Sequence, residues 1–230
     1  MPVTNHDGAR DGGVLIAATG LGAAVVGGSI GGMPSAGLTY VRNDGTSTAS
    51  GLARARRGAA AAFDGTHLWV AGGEGEGASS LELASFGASP AVVITELEDA
   101  VRSGGVLLVS EDGREALLIG GRDEVGTLRS DSVWIHGCPS SCTAEPGPAW
   151  TRARQGAVAL PSERLLVGGA GSSEVERVDF TADGPVLVAR GALYVPRADP
   201  ALIPIAEGIF VAVGGHDGSG PRRDSEICFP

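Results

Sequence analysis

His136, Cys138 and Cys142 form the densest group of metal- and redox-competent side chains in this 230-residue sequence. A structural zinc normally takes four nitrogen and sulfur ligands, in spacings that this Pro/Ser-rich stretch does not show. A disulfide between Cys138 and Cys142 is therefore the first reading, two free thiols the second and a metal the third. Cys228 stands two residues from the end and is expected to be free or to lack its partner. The four histidines, His6, His67, His136 and His216, are scattered with no helical spacing that would place two on one ion. Neighbouring carboxylates are the next candidates, because two at a suitable separation can divide acid and base roles. Glu96 with Glu98, Asp123 with Glu124, and Glu174 with Glu176 are such pairs. Strand alternation puts Glu174 and Glu176 on one face, most simply the solvated one.

Other chemistries are excluded by residue type. There is no lysine, all 17 Lys/Arg positions being arginine, so no P-loop lysine or Schiff base is available. Gly73-Glu74-Gly75-Glu76-Gly77 resembles a phosphate loop only in its glycines, since a strand follows it and its two carboxylates repel phosphate. No serine stands in a nucleophile elbow. A net charge of −10 argues against a general nucleic-acid partner, and no apolar run is long enough to span a membrane. No catalytic residue, metal or cofactor is expected.

The elements that would hold these residues are repeated. Five apolar runs end in glycine pairs, Gly27-Gly28, Gly72-Gly73, Gly120-Gly121, Gly168-Gly169 and Gly214-Gly215, a period of 45 to 48 residues. Before each pair an apolar run turns back, as at Asp64-Gly65, read as a two-residue hairpin. Beyond each pair a polar loop leads to a third strand carrying one aromatic: Tyr40, Phe86, Trp134, Phe180 and Phe229. These five are expected to pack neighbouring sheets together. An arginine precedes each pair: Arg10, Arg57, Arg102, Arg154 and Arg197. Fourth strands are expected near Ala91 to Ile94, Pro185 to Ala189 and Ala49 to Ala53. Thr95-Glu96-Leu97-Glu98 fits a capping box and so a short helical turn, and Gly137 to Ala149 reads as a loop.

The glycine doublets, the arginine before, the aromatic after and Trp150-Thr151-Arg152 between units resemble the kelch repeat over nearly the whole chain. That resemblance implies an all-β fold, a β-propeller of about five four-stranded antiparallel blades round a central channel. The units would be residues 8–53, 54–101, 102–150, 151–195 and 196–230 of a single domain. Only Trp150 stands at the family's fourth-strand tryptophan. The copper-oxidase chemistry of some members is unsupported, because only Tyr40 and Tyr194 are available.

Two function classes follow from the resemblance. One is a non-catalytic module presenting loops to a protein or polysaccharide; the alternative is an enzyme on an anionic carbohydrate, of isomerase or oxidase type. In either case one face would gather the post-glycine loops and the crossings between blades. It would carry Glu74 and Glu76, then Arg122, Asp123, Glu124 and Arg129, then His216, Asp217, Arg222, Arg223 and Asp224. Arg57, Arg102, Arg154 and Arg197 would stand near the channel mouth, where they either bind carboxylates or tie adjacent blades together. The glycine pairs are expected to be structural. A disulfide would imply an oxidising, extracytoplasmic location, which the amino terminus supports only if a signal lies upstream of Met1. The last unit stops after its third strand, so closure would need residues 1–9 as an outer strand. The expectations are a loosely closed five-bladed ring or part of a longer propeller, the latter favoured.

Overall fold

The computed structural model describes residues 10–86, 91–97 and 101–230. Its strands form five antiparallel sheets set as the blades of a propeller. Blade 1 holds β1 (Val14–Ala18), β2 (Gly22–Val26), β3 (Ser29–Ile30), β4 (Met33–Arg42) and β5 (Ser47–Arg56), with β3 folded back on the start of β4. Blade 2 is β6 (Ala60–Phe63), β7 (His67–Ala71), β8 (Ser80–Ser85) and β9 (Val92–Glu96). Blade 3 is β10 (Val106–Val109), β11 (Ala116–Ile119), β12 (Ser132–His136) and β13 (Thr143–Pro146). Blade 4 is β14 (Val158–Leu160), β15 (Leu165–Val167), β16 (Glu174–Thr181) and β17 (Gly184–Ala192). Among the described residues blade 5 has three strands, β18 (Ala201–Ala206), β19 (Ile209–Val213) and β20 (Ser225–Cys228).

The inner strands read as continuous apolar runs because both faces of a middle blade are covered. All four residues of β11 are fully buried. Trp69 and Leu81 of blade 2 pack in one cluster with Leu118 and Ile135 of blade 3, while Leu117 and Ile119, one step out of phase, meet Leu166 and Val178 of blade 4. Leu38 and Tyr40 join blade 1 to Leu68 and Val70 of blade 2. Leu165 and Val167 join blade 4 to Phe210 and Ala212 of blade 5. Each fully buried leucine contributes roughly 2–3 kcal/mol, so the four interfaces together are the core.

Several expectations need correction. The aromatics occupy more than one structural position. Tyr40 and Trp134 pair across the sheet with Ala24 and Leu117, three residues before their glycines. Phe86 follows the end of β8, and Phe180 lies three residues beyond Arg177, the residue of β16 at the Tyr40 position. The intervening loops differ in length, which disguised the difference. Phe229 packs no neighbouring sheet and is exposed. Thr95 and Glu96 are extended in β9, so the capping box opens no helix there; Glu98 lies outside the described residues, as do His6 and residues 1–9. The stretch from Gly137 to Ala149 contains β13, whose exposed side chains gave no apolar signal. The Asp64-Gly65 turn is a three-residue loop closed by Asp64 Oδ1, which accepts the N–H groups of Thr66 and His67 at 2.7 and 2.6 Å.

Candidate functional site

Every blade is entered through a crossing of one pattern: Arg10-Asp11-Gly12, Arg56-Arg57-Gly58, Arg102-Ser103-Gly104, Arg154-Gln155-Gly156 and Arg197-Ala198-Asp199. The arginine carbonyl accepts the N–H of the second glycine of the preceding blade, from Gly28 to Arg56, Gly73 to Arg102, Gly121 to Arg154 and Gly169 to Arg197, at 2.7–3.0 Å. The repeat arginine of blade 2 is thus Arg56, not Arg57. Adjacent arginines on a strand point oppositely, so an error of one residue exchanges a buried side chain for an exposed one.

The buried guanidiniums turn into the next blade. Arg56 donates to the Gly72 carbonyl and, at 2.5 Å, to Glu82; Arg197 meets Asp224 and Glu226 at 3.1 and 2.7 Å. Arg154 binds Glu174 at 3.0 Å and also Glu176, its guanidinium lying 3.9 Å over the Trp150 ring. Arg102 reaches the Asp131 carbonyl at 2.9 Å. Burial pulls Arg56 and Arg154 below the usual arginine range and pushes Glu176 up, against the opposing pull of Arg154. Glu174 and Glu176 both reach the buried Arg154 cation, Glu176 largely buried and Glu174 still 43% exposed. Glu82, Glu176 and Glu226 sit at one repeat position, each opposite the residue two before a glycine pair. That recurrence was available in the sequence and was missed.

The third crossing residues form a belt. Gly58 N–H donates to Gly12 C=O, Gly104 to Gly58, Gly156 to Gly104 and Asp199 to Gly156, at 2.7–3.2 Å. All five have positive φ, and Asp199, at 52°, does so with a side chain. Its carboxylate lies over Gly156 and 3.3 Å from His216 Nε2. Residues of all five crossings converge on a polar depression of about 290 Å³ lined by Asp11, Ser29, Arg57, Glu74, Ser103, Gln155 and Asp199. The residues after the glycine pairs bridge to the crossings, Ser29 to Asp11, Glu74 to Arg57, Arg122 to Ser103 and His216 to Ala198. The depression therefore marks the axial mouth.

The sequence candidates divide accordingly. Arg57 lines the mouth and Arg122 and His216 contact its lining residues Gln155 and Asp199, whereas Arg102, Arg154 and Arg197 are buried in the framework. The mouth cations are engaged: Arg57 with Glu74 at 2.6 Å, and Arg122 with Gln155 and the Gly126 carbonyl. The Arg57 guanidinium holds the Glu74 carboxyl below its ordinary range. Asp123 closes its own loop by accepting the N–H groups of Val125 and Thr127, while Glu124 is exposed beside it. Arg129 pairs with Asp131 at 2.5 Å. In the blade 5 loop Arg222 bridges Asp217 and Asp224 at 2.8 and 2.5 Å; the Ser219 hydroxyl and then Arg222 hold Asp217 well below the carboxylate range, and Arg222 does the same for Asp224. Arg223 is exposed there, in the rim of a hollow of about 540 Å³.

Cys138 and Cys142 are joined by a disulfide, and Cys228 is a free, buried thiol. His136 stacks on Trp134 and approaches Glu145 at 3.3 Å. Among the described residues no group of three or more His, Cys, Asp or Glu is arranged to hold a metal ion, and no helix is long and apolar enough to cross a membrane.

The fold and its axial mouth define a five-bladed β-propeller. No family model and no curated protein sequence matches the chain. Among solved structures it is similar to that described as "Structure of YjhT", with a TM-score of 0.72 and 13% identity over 95% of this chain and 81% of the other. At that identity the likeness speaks for the fold.

Proposed function

We propose that this chain is a kelch-type propeller acting as a non-catalytic binding module, whose axial mouth and surrounding loops take a protein or polysaccharide partner. The observation that carries the reading is the convergence of all five crossings on one polar depression. The rigid scaffold beneath, with its buried arginines and backbone belt, holds that mouth in shape and leaves loop residues to set specificity. The lining is rich in hydrogen-bond acceptors, namely Asp11, Glu74 and Asp199, while its cation Arg57 is paired to Glu74 and Arg122 beside it is engaged by Gln155 and the Gly126 carbonyl. An acidic ligand would have to displace such a pair, so a neutral, hydroxyl-rich glycan or a donor-rich protein surface suits the mouth better. The disulfide supports an extracytoplasmic setting.

Screening against glycan arrays and by pull-down tests the reading. Ligands should be retained by the wild type and lost on Asp11→Asn with Asp199→Asn, with the melting temperature nearly unchanged. Retention by the double variant, with loss on changes at Cys138 to Cys142, would assign binding elsewhere. The Asp199–His216 pair favours a second reading, an enzyme on a carbohydrate in which His216 moves a proton. Turnover of a bound sugar, abolished by His216→Gln with binding intact, would establish it.

A further inference from the structure

The loops that follow the glycine pairs rise to different heights round the mouth. In blade 1 the chain folds back through Gly31 and Gly32, Ile30 pairing with Met33. In blade 3 Arg122 bridges to Leu128 and in blade 5 His216 bridges to Pro221, so each of these loops is also a hairpin. A Cβ added at Gly31, Gly32, Gly126 or Gly218 would meet nothing within 4 Å. The three hairpin tips therefore stand clear of the framework.

The loops of blades 2 and 4 lie flat on it. A Cβ at Gly75 would stand 2.8 Å from the Ala55 carbonyl oxygen, and one at Gly77 would lie against the Arg56 guanidinium. In blade 4 the Ala170 N–H donates to the Gln155 carbonyl at 2.8 Å, and Ser172 is buried on Arg154. Raised and flat loops thus alternate from blade 1 to blade 5. The result is a groove that enters over blade 2, between the hairpins of blades 1 and 3, crosses the axial depression and leaves over blade 4, between those of blades 3 and 5.

The hairpin walls carry apolar side chains in solvent, Ile30, Met33 and Val125 being 46%, 71% and 86% exposed. Arg57 fastens the first wall by donating to the Gly32 carbonyl at 3.4 Å, and Arg122 the second by donating to the Gly126 carbonyl at 2.7 Å. Where the groove crosses the mouth, its floor presents the carboxylates of Asp11, Glu74 and Asp199. Those of Asp11 and Asp199 form no pair with an arginine among the described residues, so a ligand cation can reach them without breaking an ion pair. No residue lining the depression is aromatic, which leaves a sugar ring no flat face to stack on there. An extended peptide with apolar side chains around a cationic one matches the walls in kind and the floor in charge.

On the reading of the mouth as a binding site, we propose that this groove takes an extended segment of a partner protein, with an internal lysine or arginine over Asp11 and Asp199. Apolar side chains on either side of that cation pack against Ile30, Met33 and Val125, and the carboxylates hold it through charge-assisted hydrogen bonds.

Selection of displayed random peptides on the full chain tests this, with a glycan array run alongside. Selected sequences should carry an internal lysine or arginine with apolar residues on both sides. Synthetic copies should lose about tenfold or more in affinity when the cation becomes glutamine or is moved to either end of the peptide. Asp11→Asn with Asp199→Asn, Ile30→Asp and Val125→Asp, each checked for unchanged melting, should weaken the same peptides to a similar degree. Acidic selected sequences, indifference to the position of the cation, or binding that survives the hairpin variants would each overturn the proposal, as would a selection that yields no peptide. Glycans retained through Asp11 and Asp199 in the absence of peptide binding would keep the mouth as a binding site and overturn only the peptide; retention of neither class would remove both readings.

Discussion

Arg56 and Glu82 form an ion pair at 2.5 Å in which neither side chain is exposed, whereas Arg57, the next residue, pairs with Glu74 with both side chains 45% exposed. Removing one partner of a buried pair leaves the other charge uncompensated, at a cost of about 3–5 kcal/mol. An exposed pair contributes about 0–1 kcal/mol. Arg56→Met should therefore lower the denaturant midpoint sharply, or prevent folding, while Arg57→Met should scarcely move it. Equal midpoints for the two variants would reverse the assignment of the repeat arginine.

Gly120 separates two kinds of glycine in the same way. Its φ is 69°, and an added Cβ would lie 2.7 Å from the Arg154 carbonyl oxygen and closer still to the Trp150 ring. Gly126 has φ 86° with open space around it. Left-handed backbone costs a residue with Cβ about 1–2 kcal/mol, so Gly126→Ala should show only that loss. Gly120→Ala should lose several-fold more, because a blade crossing must shift. Thermal melts of the two variants decide the point, and equal losses would count against steric closure.

The blade count was legible because the glycine pairs mark the inner strands, whose apolar runs are long enough to be seen. The fourth strand β13 was not, since an exposed edge strand of Thr143 to Pro146 has no apolar alternation to read. The arginine of blade 2 was misplaced because Arg56 and Arg57 are adjacent, and only the acceptor at position 82 tells them apart. The mouth was half legible: His216 and Arg122 follow glycine pairs, but the arginine, spacer and glycine triplets that build the belt are short enough to pass as composition in a chain of 38 glycines. Asp199 stands out only once those triplets are aligned.

The disulfide closes a tight loop from which β13 returns along β12, pairing His136 with Thr143 and Trp134 with Glu145. No side chain of β13 is buried, so its pairing with β12 and the covalent link before it are what hold that strand. Replacing Cys138 and Cys142 by serine should cost about 2 kcal/mol on the chain-entropy scale for so short a loop. Amide exchange should quicken in β13 and leave β11 protected. Alkylation of the unfolded, unreduced chain should modify Cys228 alone; modification of three thiols would contradict the bridge.

Tyr40 sets an alkaline limit. Burial pushes its phenol up to about 12, while the unfolded chain titrates near 10. The folded state thus holds the proton more tightly, so the associated stability is complete below pH 10 and is lost as pH rises towards 12. The loss should be roughly 2–3 kcal/mol. Tyr40→Phe should remove this dependence, and unfolding midpoints of the two proteins at pH 9 and 11 measure it. An identical alkaline loss in both would assign it to other groups.

Asp199 occupies a backbone conformation that four of the five crossings give to glycine. An aspartate at φ 52° costs on the order of 1 kcal/mol relative to glycine, and its carboxylate is exposed at the mouth and so recovers little by burial. Among the described residues its side chain contacts His216 Nε2, at 3.3 Å, a half-exposed contact worth no more than a surface pair. A residue that weakens the fold while facing the axial depression is what a binding role would retain. Asp199→Gly should therefore raise the melting temperature slightly, keep the N–H bond to the Gly156 carbonyl, and lower affinity for the ligand proposed for the mouth. His216→Ala should lower affinity without the gain in stability. If Asp199→Gly is less stable than the wild type, the carboxylate serves the fold; if affinity is unchanged, the mouth does not read its ligand through this pair.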